Sequence, residues 1–277
     1  MPDGAAFDHV ALALADRWPF FEMFAGALAG RWVGGGESPG GFSFVQLRYA
    51  NGMKVEALEA LAGGSPLLDR FLAAGPGPHH LTFKVADLGA ALERATALGY
   101  EPLGASLDDP WWKEAFLHPR QASGIVVQLA WSAAELDDPP PPWLPAARVT
   151  QPAELVHVAH AVSDLESALG LFKGLLGGHS VDAGAGAGLG FVDLAWPGPS
   201  GSVDGGGGRL RLLAGDPVKP WVGRRPGRLH SLCFRVADPA GVPGAAPHQD
   251  WWEVAPTPPL GVRLVLIEPG APVPVTS

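Results

Sequence analysis

One short pattern recurs four times in these 277 residues and settles most of what the chain can become. Asp8-His9-Val10-Ala11-Leu12-Ala13-Leu14-Ala15-Asp16 has counterparts at 79–87, 156–164 and 230–238. Each sets apolar residues at every second position and closes on Asp. Alternation of period two belongs to a strand, and a closing Asp is a helix N-cap signal. Three of the four run on into helical periodicity, as in Asp87-Leu88-Gly89-Ala90-Ala91-Leu92-Glu93-Arg94. The fourth meets PAGVPGAAP, a poor helix, so that module is shortened. More strands follow. Phe42–Tyr49, an Asn51-Gly52 turn and Met53–Leu58 read as a hairpin, and Ala115–Leu117 with Ile125–Leu129 play the same part in the second unit. Strand, helix, then about three strands, four times over, predicts an α+β chain.

Residues 133–152, AAELDDPPPPWLPAARVTQP, divide it. Four consecutive prolines favour an extended spacer. The expected organisation is a first domain over 1–132, a Pro-rich linker over 133–152 and a second domain over 153–277. Each domain is a half-open, mostly antiparallel sheet made of two modules. The stretch 197–208, PGPSGSVDGGGG, reads as a flexible loop.

Composition narrows the partners. A net charge of −9 repels phosphate backbones, so nucleic acid is not expected as a partner. A small-molecule substrate remains, since a local cationic pocket can override the global sign. The single cysteine, Cys233, excludes an intrachain disulfide and a Cys-based metal or CxxC site. No apolar run is long enough for a membrane span, and no signal peptide is visible. A cytoplasmic location is the expectation.

The first two modules carry polar residues at matching places. His9 and His80 lie 71 residues apart, Glu56 and Gln128 lie 72 apart, and each interrupts an apolar alternation. A polar group bound for a core needs a partner. If the modules pair about a pseudo-twofold axis, the four groups converge, and two imidazoles with two oxygen donors suit a divalent ion. A lone strand histidine is more often a core or surface residue; the recurrence is what points to a shared site.

The stretches Asp8–Ala11, Lys54–Glu59, Gly77–Leu88 and Phe116–Leu129 resemble the vicinal oxygen chelate (glyoxalase/bleomycin-resistance) superfamily. Within it, residues 6–130 are most similar to methylmalonyl-CoA epimerase. The resemblance implies paired βαβββ modules around a cleft, twice in tandem. It also implies metal ligands at His9, Glu56, His80 and Gln128; strand alternation then turns His79 to the opposite face. Gln128 departs from the carboxylate usual there. One divalent ion per chain is implied, with Co, Mn, Ni, Zn, Fe and Mg not distinguished, and a homodimer is compatible. The implied chemistry is a metal-dependent isomerase or lyase acting through a metal-stabilised enolate, with an acyl-CoA such as methylmalonyl-CoA as substrate. Glu56, then Glu114, are the candidate catalytic carboxylates. Arg48, Arg120 and Trp111 are candidates for binding substrate. The alternatives are a glutathione-linked lyase, a ring-cleaving dioxygenase, or a small-molecule binding or resistance protein.

The second half repeats the pattern without the ligands. His157 matches His9, Arg211 matches Glu56, Ser231 matches His80 and, aligning Gly261 with Gly124, Val265 matches Gln128. No metal is expected in that cleft; its domain is structural, covers the first cleft, or binds an anion through Arg211. Asp250-Trp251-Trp252 is expected to echo Asp109-Pro110-Trp111-Trp112.

Overall fold

A computed structural model describes residues 4–197 and 207–275. Residues 198–206, most of the loop expected to be flexible, lie outside the described residues. The chain builds two eight-stranded sheets. The first contains β1 (Ala6–Leu14), β2 (Arg31–Ser38), β3 (Phe42–Arg48), β4 (Lys54–Ala60), β5 (Gly77–Lys84), β6 (Leu103–Ser106), β7 (Trp112–Leu117) and β8 (Val126–Ser132). Their order is β2-β3-β4-β1-β5-β8-β7-β6. The second sheet contains β9 (Glu154–Val162), β10 (His179–Gly186), β11 (Leu189–Ala195), β12 (Arg209–Gly215), β13 (Gly227–Arg235), β14 (Ala245–Pro247), β15 (Trp252–Val254) and β16 (Leu264–Ile267). Its order repeats the first: β10-β11-β12-β9-β13-β16-β15-β14. In each, two βαβββ modules meet at a central antiparallel pair, β1 with β5 and β9 with β13.

Three of the four closing aspartates are caps, and Asp16 stands one residue before the cap position, Arg17. Asp16 accepts the N–H of Trp18 at 2.8 Å, at the head of α1, whose α-helical start Trp18–Phe20 passes into π-helical Phe21–Ala27. Asp87 accepts from Ala90 at 3.1 Å and caps α3 (Leu88–Ala97). Asp164 accepts from Ser167 at 3.1 Å and caps α4, Leu165–Leu169 running into Gly170–Leu175. Asp238 accepts from Gly241 at 3.2 Å, but Pro239–Gly241 is only a 3-10 turn, so the fourth module has no helix in that place. Each cap satisfies an otherwise orphaned donor, worth about 1 kcal/mol.

One continuous apolar core joins the two sheets. Phe24 of α1 meets Phe234 of β13 at 6.1 Å, and the mirrored pair, Phe172 of α4 and Phe83 of β5, meets at 6.2 Å. Tyr49 packs on Phe234 at 4.9 Å, and its counterpart Trp196 packs on Phe83 at 5.1 Å. The backbones also touch in mirrored pairs. Gly124 lies against Gly227, and Gly261 lies against Pro76 and Gly77. Both Gly124 (φ +88) and Gly261 (φ +61) are left-handed, and a Cβ on either would enter the opposing carbonyl. His160 Nε2 adds a 2.7 Å bond to the Ser123 carbonyl across the same junction. No helix among the described residues is long and apolar enough to cross a membrane.

The Pro-rich segment is not a free spacer. Trp143 stacks edge-on against Phe21 at 5.0 Å and Trp32 at 5.8 Å, and the Arg148 N–H donates to the Gly26 carbonyl at 2.8 Å. Prolines rule out regular structure there, but not packing by the aromatic and apolar residues among them. A short helix that the alternation pattern does not announce, α2 (Pro66–Leu72), lies over the concave face of the first sheet, with Leu68 packed among Ala11, Ala13 and Leu58.

Candidate metal centre

The site sits on the two central strands of the first sheet and their parallel neighbours. Ala11 pairs with both Glu56 on β4 and His80 on β5, while His9 pairs with Thr82, which in turn pairs with Gln128 on β8. Cross-strand partners share a face, so His9, Glu56, His80, Thr82 and Gln128 all project into the concavity. All five are buried.

His9 Nε2 and His80 Nε2 each lie 3.5 Å from Glu56 Oε2. The three ligand atoms fall within 4.8 Å of one another. A cation with bonds of about 2.0–2.2 Å to each would fit such spacings. The buried His80 Nε2 has no hydrogen-bond partner within the chain. Burial, with histidines 79 and 9 beside it, holds His80 well below the usual range and therefore neutral. A neutral imidazole with an unpartnered nitrogen facing a carboxylate is the donor a metal needs.

His9 is prepared differently. Its Nδ1–H donates to Asp8 Oδ2 at 2.7 Å, which directs Nε2 into the site. Burial opposes charge on His9, but Glu56 and then Asp8 outweigh it and hold the ring up at about 9. Glu56 is held down at about 2: burial works against the anion, His9 more than compensates, and Gln46 Nε2–H donates to Oε1 at 2.9 Å. With His9 charged, a directed chain leaves its Nε2–H. That group reaches Thr82 Oγ1 at 2.9 Å, the Thr82 hydroxyl donates to Gln128 Oε1 at 2.5 Å, and Gln128 Nε2–H donates to Glu114 Oε2 at 2.7 Å.

The expected residues divide into two groups. His9, Glu56, His80 and Gln128 converge, and Glu114 joins them through Gln128. Arg48 sits farther along the cleft, 3.5 Å from Glu135. Arg120 is exposed on the turn between β7 and β8, and Trp111 is 73% exposed. Trp112 is the tryptophan tied to the site, its Nε1–H donating to Glu114 at 2.8 Å.

His79 does not turn to the opposite face. The register between β1 and β5 shifts at this residue, and its Nδ1 lies 2.9 Å from that of His80 with Phe71 of α2 at 5.0 Å. A bulge cancels the alternation on which that expectation rested. A second shift, between Phe7 and His9, places Asp8 beside His9 in the same way. Asp8 and Thr82 are the functional neighbours that residue spacing did not reveal.

In the second sheet, Arg211 pairs with Ala159, as Glu56 does with Ala11, and Cys233 pairs with His157 and Val265, as Thr82 does with His9 and Gln128. Register thus sets His157, Arg211, Ser231 and Val265 at the places equivalent to His9, Glu56, His80 and Gln128. Arg211 is locked to Asp193 by two bonds of 2.7 Å and donates to the Pro274 carbonyl at 2.8 Å. Val273 and Ala271 pack on Cys233 and Val265, so this segment covers the floor of the second cleft at those residues. The tryptophan pairs are not equivalent: Trp252 faces Leu266 and thus corresponds to Ala115, not Trp112.

Residues 8–116 match the Glyoxalase/Bleomycin resistance protein/Dioxygenase superfamily. The chain is 31% identical over 129 residues to an ethylmalonyl-CoA/methylmalonyl-CoA epimerase of Cereibacter sphaeroides, covering 44% of this chain and 94% of that protein. Across both domains the fold is similar to that of a triple mutant of 4-hydroxymandelate synthase from Streptomyces coelicolor. That match has a TM-score of 0.61 and 14% identity, and covers 98% of this chain and 94% of the other. With its duplicated βαβββ modules and an epimerase relative aligned over nearly its full length, the chain belongs to the glyoxalase/bleomycin resistance protein/dioxygenase superfamily.

Proposed function

We propose that the first domain is a metal-dependent isomerase or lyase that moves a proton on a carbon next to a carbonyl, with an acyl-CoA of the methylmalonyl type as the first substrate to test. The observation that carries this is the unpartnered His80 Nε2 aimed with His9 at the Glu56 carboxylate. His9, Glu56 and His80 would hold one divalent ion, with Gln128 as a fourth oxygen donor. When bound, the ion supplies Lewis-acid polarisation of a substrate carbonyl, which acidifies the neighbouring C–H. The chain supplies the base. Glu56, held down at about 2 and engaged by Gln46, is a weak acceptor of protons. Glu114 is the better-placed group: its Oε2 receives the Trp112 and Gln128 N–H groups at the edge of the ring. Those two donors hold Oε2 and orient the carboxylate, whose other oxygen is left to take the proton. The epimerase relative supports the substrate class.

Deuterium exchange into methylmalonyl-CoA in D2O tests the reaction. The Co(II)-loaded chain is expected to catalyse exchange, and Glu114→Gln to slow it about 100-fold or more while still binding metal. No exchange above background rejects this substrate. A second reading rests on the same triad, since two histidines and one carboxylate also suit non-haem Fe(II). Oxygen uptake with a catechol by the Fe(II)-loaded chain would favour it.

A further inference from the structure

The first cleft has two unlike ends. Ala11, Ala13, Leu58, Phe42 and Phe44 line one, under α2. The other is cationic and is crossed by the start of the Pro-rich segment. That strap is fixed to one side of the sheet where Ala133 N–H meets the Trp111 carbonyl at 3.0 Å, and to the opposite edge where Asp138 N–H meets the Val33 carbonyl at 2.9 Å. Between these anchors Glu135 reaches down to three cations: Lys54 at 3.0 Å, Arg48 at 3.5 Å and Lys84 at 3.6 Å.

We infer that Arg48, Lys54 and Lys84 form a carboxylate subsite beside the metal centre, which takes a second acidic group of the substrate and which Glu135 fills in the resting chain. The inference rests on the function proposed above and narrows its substrate to an acid with a carboxylate beyond the chelating oxygens. Lys54 lies two residues from Glu56 along β4, about 7 Å of strand, so a short dicarboxylate spans the two sites. The two sides of the ion cluster are unequally held. Lys54 is 5% exposed and tied to Asp8 at 2.8 Å, whereas Glu135 is 56% exposed on a segment without regular structure. A half-exposed carboxylate gains little from its ion pairs and is cheaply released. With Glu135 away, Asp8 still answers Lys54, but Arg48 and Lys84 lose their carboxylate and three cations face one acid, so the vacated cluster attracts another anion. Three donors on two facing strands and one neighbour would give that anion charge-assisted bonds from a fixed cage. The second domain keeps two cations but neither acid: Arg209 and Arg235 stand for Lys54 and Lys84, Val156 for Asp8 and Ala195 for Arg48, with Pro272 seven residues beyond Val265 as Glu135 is beyond Gln128.

Titration of the full chain with succinate, succinamide and inorganic phosphate, with and without Co(II), tests this. Glu135→Gln, isosteric and on the surface, is expected to bind succinate at least tenfold more tightly than the unaltered chain, and not to bind succinamide. Adding Lys84→Met, or Arg48→Met should the first fail to fold, is expected to cancel the gain. Equal affinity in the unaltered chain and Glu135→Gln overturns the subsite, as does a gain that survives both cation variants. Phosphate binding tighter than succinate overturns the carboxylate assignment. A chain that binds no Co(II) but in which Glu135→Gln still gains succinate affinity refutes the metal reading and leaves the subsite standing.

Discussion

The two clefts of this chain share a strand order, a register and a buried pseudo-twofold junction, yet solve the problem of a polar floor in opposite ways. In the first, a carboxylate faces two imidazoles and one nitrogen has no partner in the protein. In the second, Arg211 occupies the carboxylate's place and is held within the chain: two bonds go to Asp193, one to the Pro274 carbonyl, and the guanidinium stacks 4.5 Å from the Phe191 ring. Replacing His80 by Ser231 and Gln128 by Val265 leaves His157 as the one imidazole of the set, and segment 271–275 packs over Cys233 and Val265. A cleft floored by an internal ion pair has no carboxylate free to share with a cation; the first cleft has one, flanked by two imidazoles.

The comparison breaks most completely at the histidines. His80→Ala or His9→Ala is expected to abolish high-affinity Co(II) binding, whereas His157→Ala leaves it unchanged. Equilibrium dialysis against Co(II) separates the three. Next is the locked pair of the second cleft. Asp193→Ala strands a buried guanidinium and should lower stability by about 3–5 kcal/mol in denaturant unfolding. Gln46→Ala, the equivalent change in the first domain, removes a neutral donor and should cost about 1 kcal/mol.

The junction supplies a pH test. His160, at the position of Leu12 in the first domain, is buried, and burial holds it down from 6.5 to about 4 despite its bond to Ser123. The folded chain therefore binds fewer protons than the unfolded one between those values. The stability is fully present above pH 6.5 and is lost progressively as pH falls to about 4, by about 3 kcal/mol. His160→Leu should flatten unfolding curves measured across that window. A partial effect on the metal is expected at Asp8. Asp8→Asn weakens the anchor of His9 and should reduce metal affinity about 10–100-fold without eliminating it.

Much of this was legible in the chain itself. Apolar alternation located the central strands, the four aspartates marked where each strand gives way to a helix or turn, and spacings of 71 and 72 residues paired His9 with His80 and Glu56 with Gln128. The degeneracy of the second cleft was legible too, because register in a sheet transfers by counting. Counting failed where the backbone bulges: alternation sends His79 away from the site and gives Asp8 no role, but the register shifts on β1 and β5 bring both beside the ring. It also failed where contacts are non-local. Nothing near Pro66 or Glu135 in sequence says that one end of the cleft is roofed by α2 and the other strapped by an acidic residue. The matching of Trp251-Trp252 to Trp111-Trp112 fails for a simpler reason: similar letters fall three residues out of register.

Of the two clefts, only the first gathers a cation's donors among the described residues, at His9, Glu56 and His80. Calorimetric titration with Co(II) at pH 7.5, repeated in buffers of different ionisation enthalpy, tests it most directly. His9 is held at about 9 and must lose its Nε2 proton to become a ligand, while Glu56 is already ionised. The expected result is one ion per chain with about one proton released, and no binding in His80→Ala. Two ions per chain, or one ion retained in His80→Ala, would contradict the account.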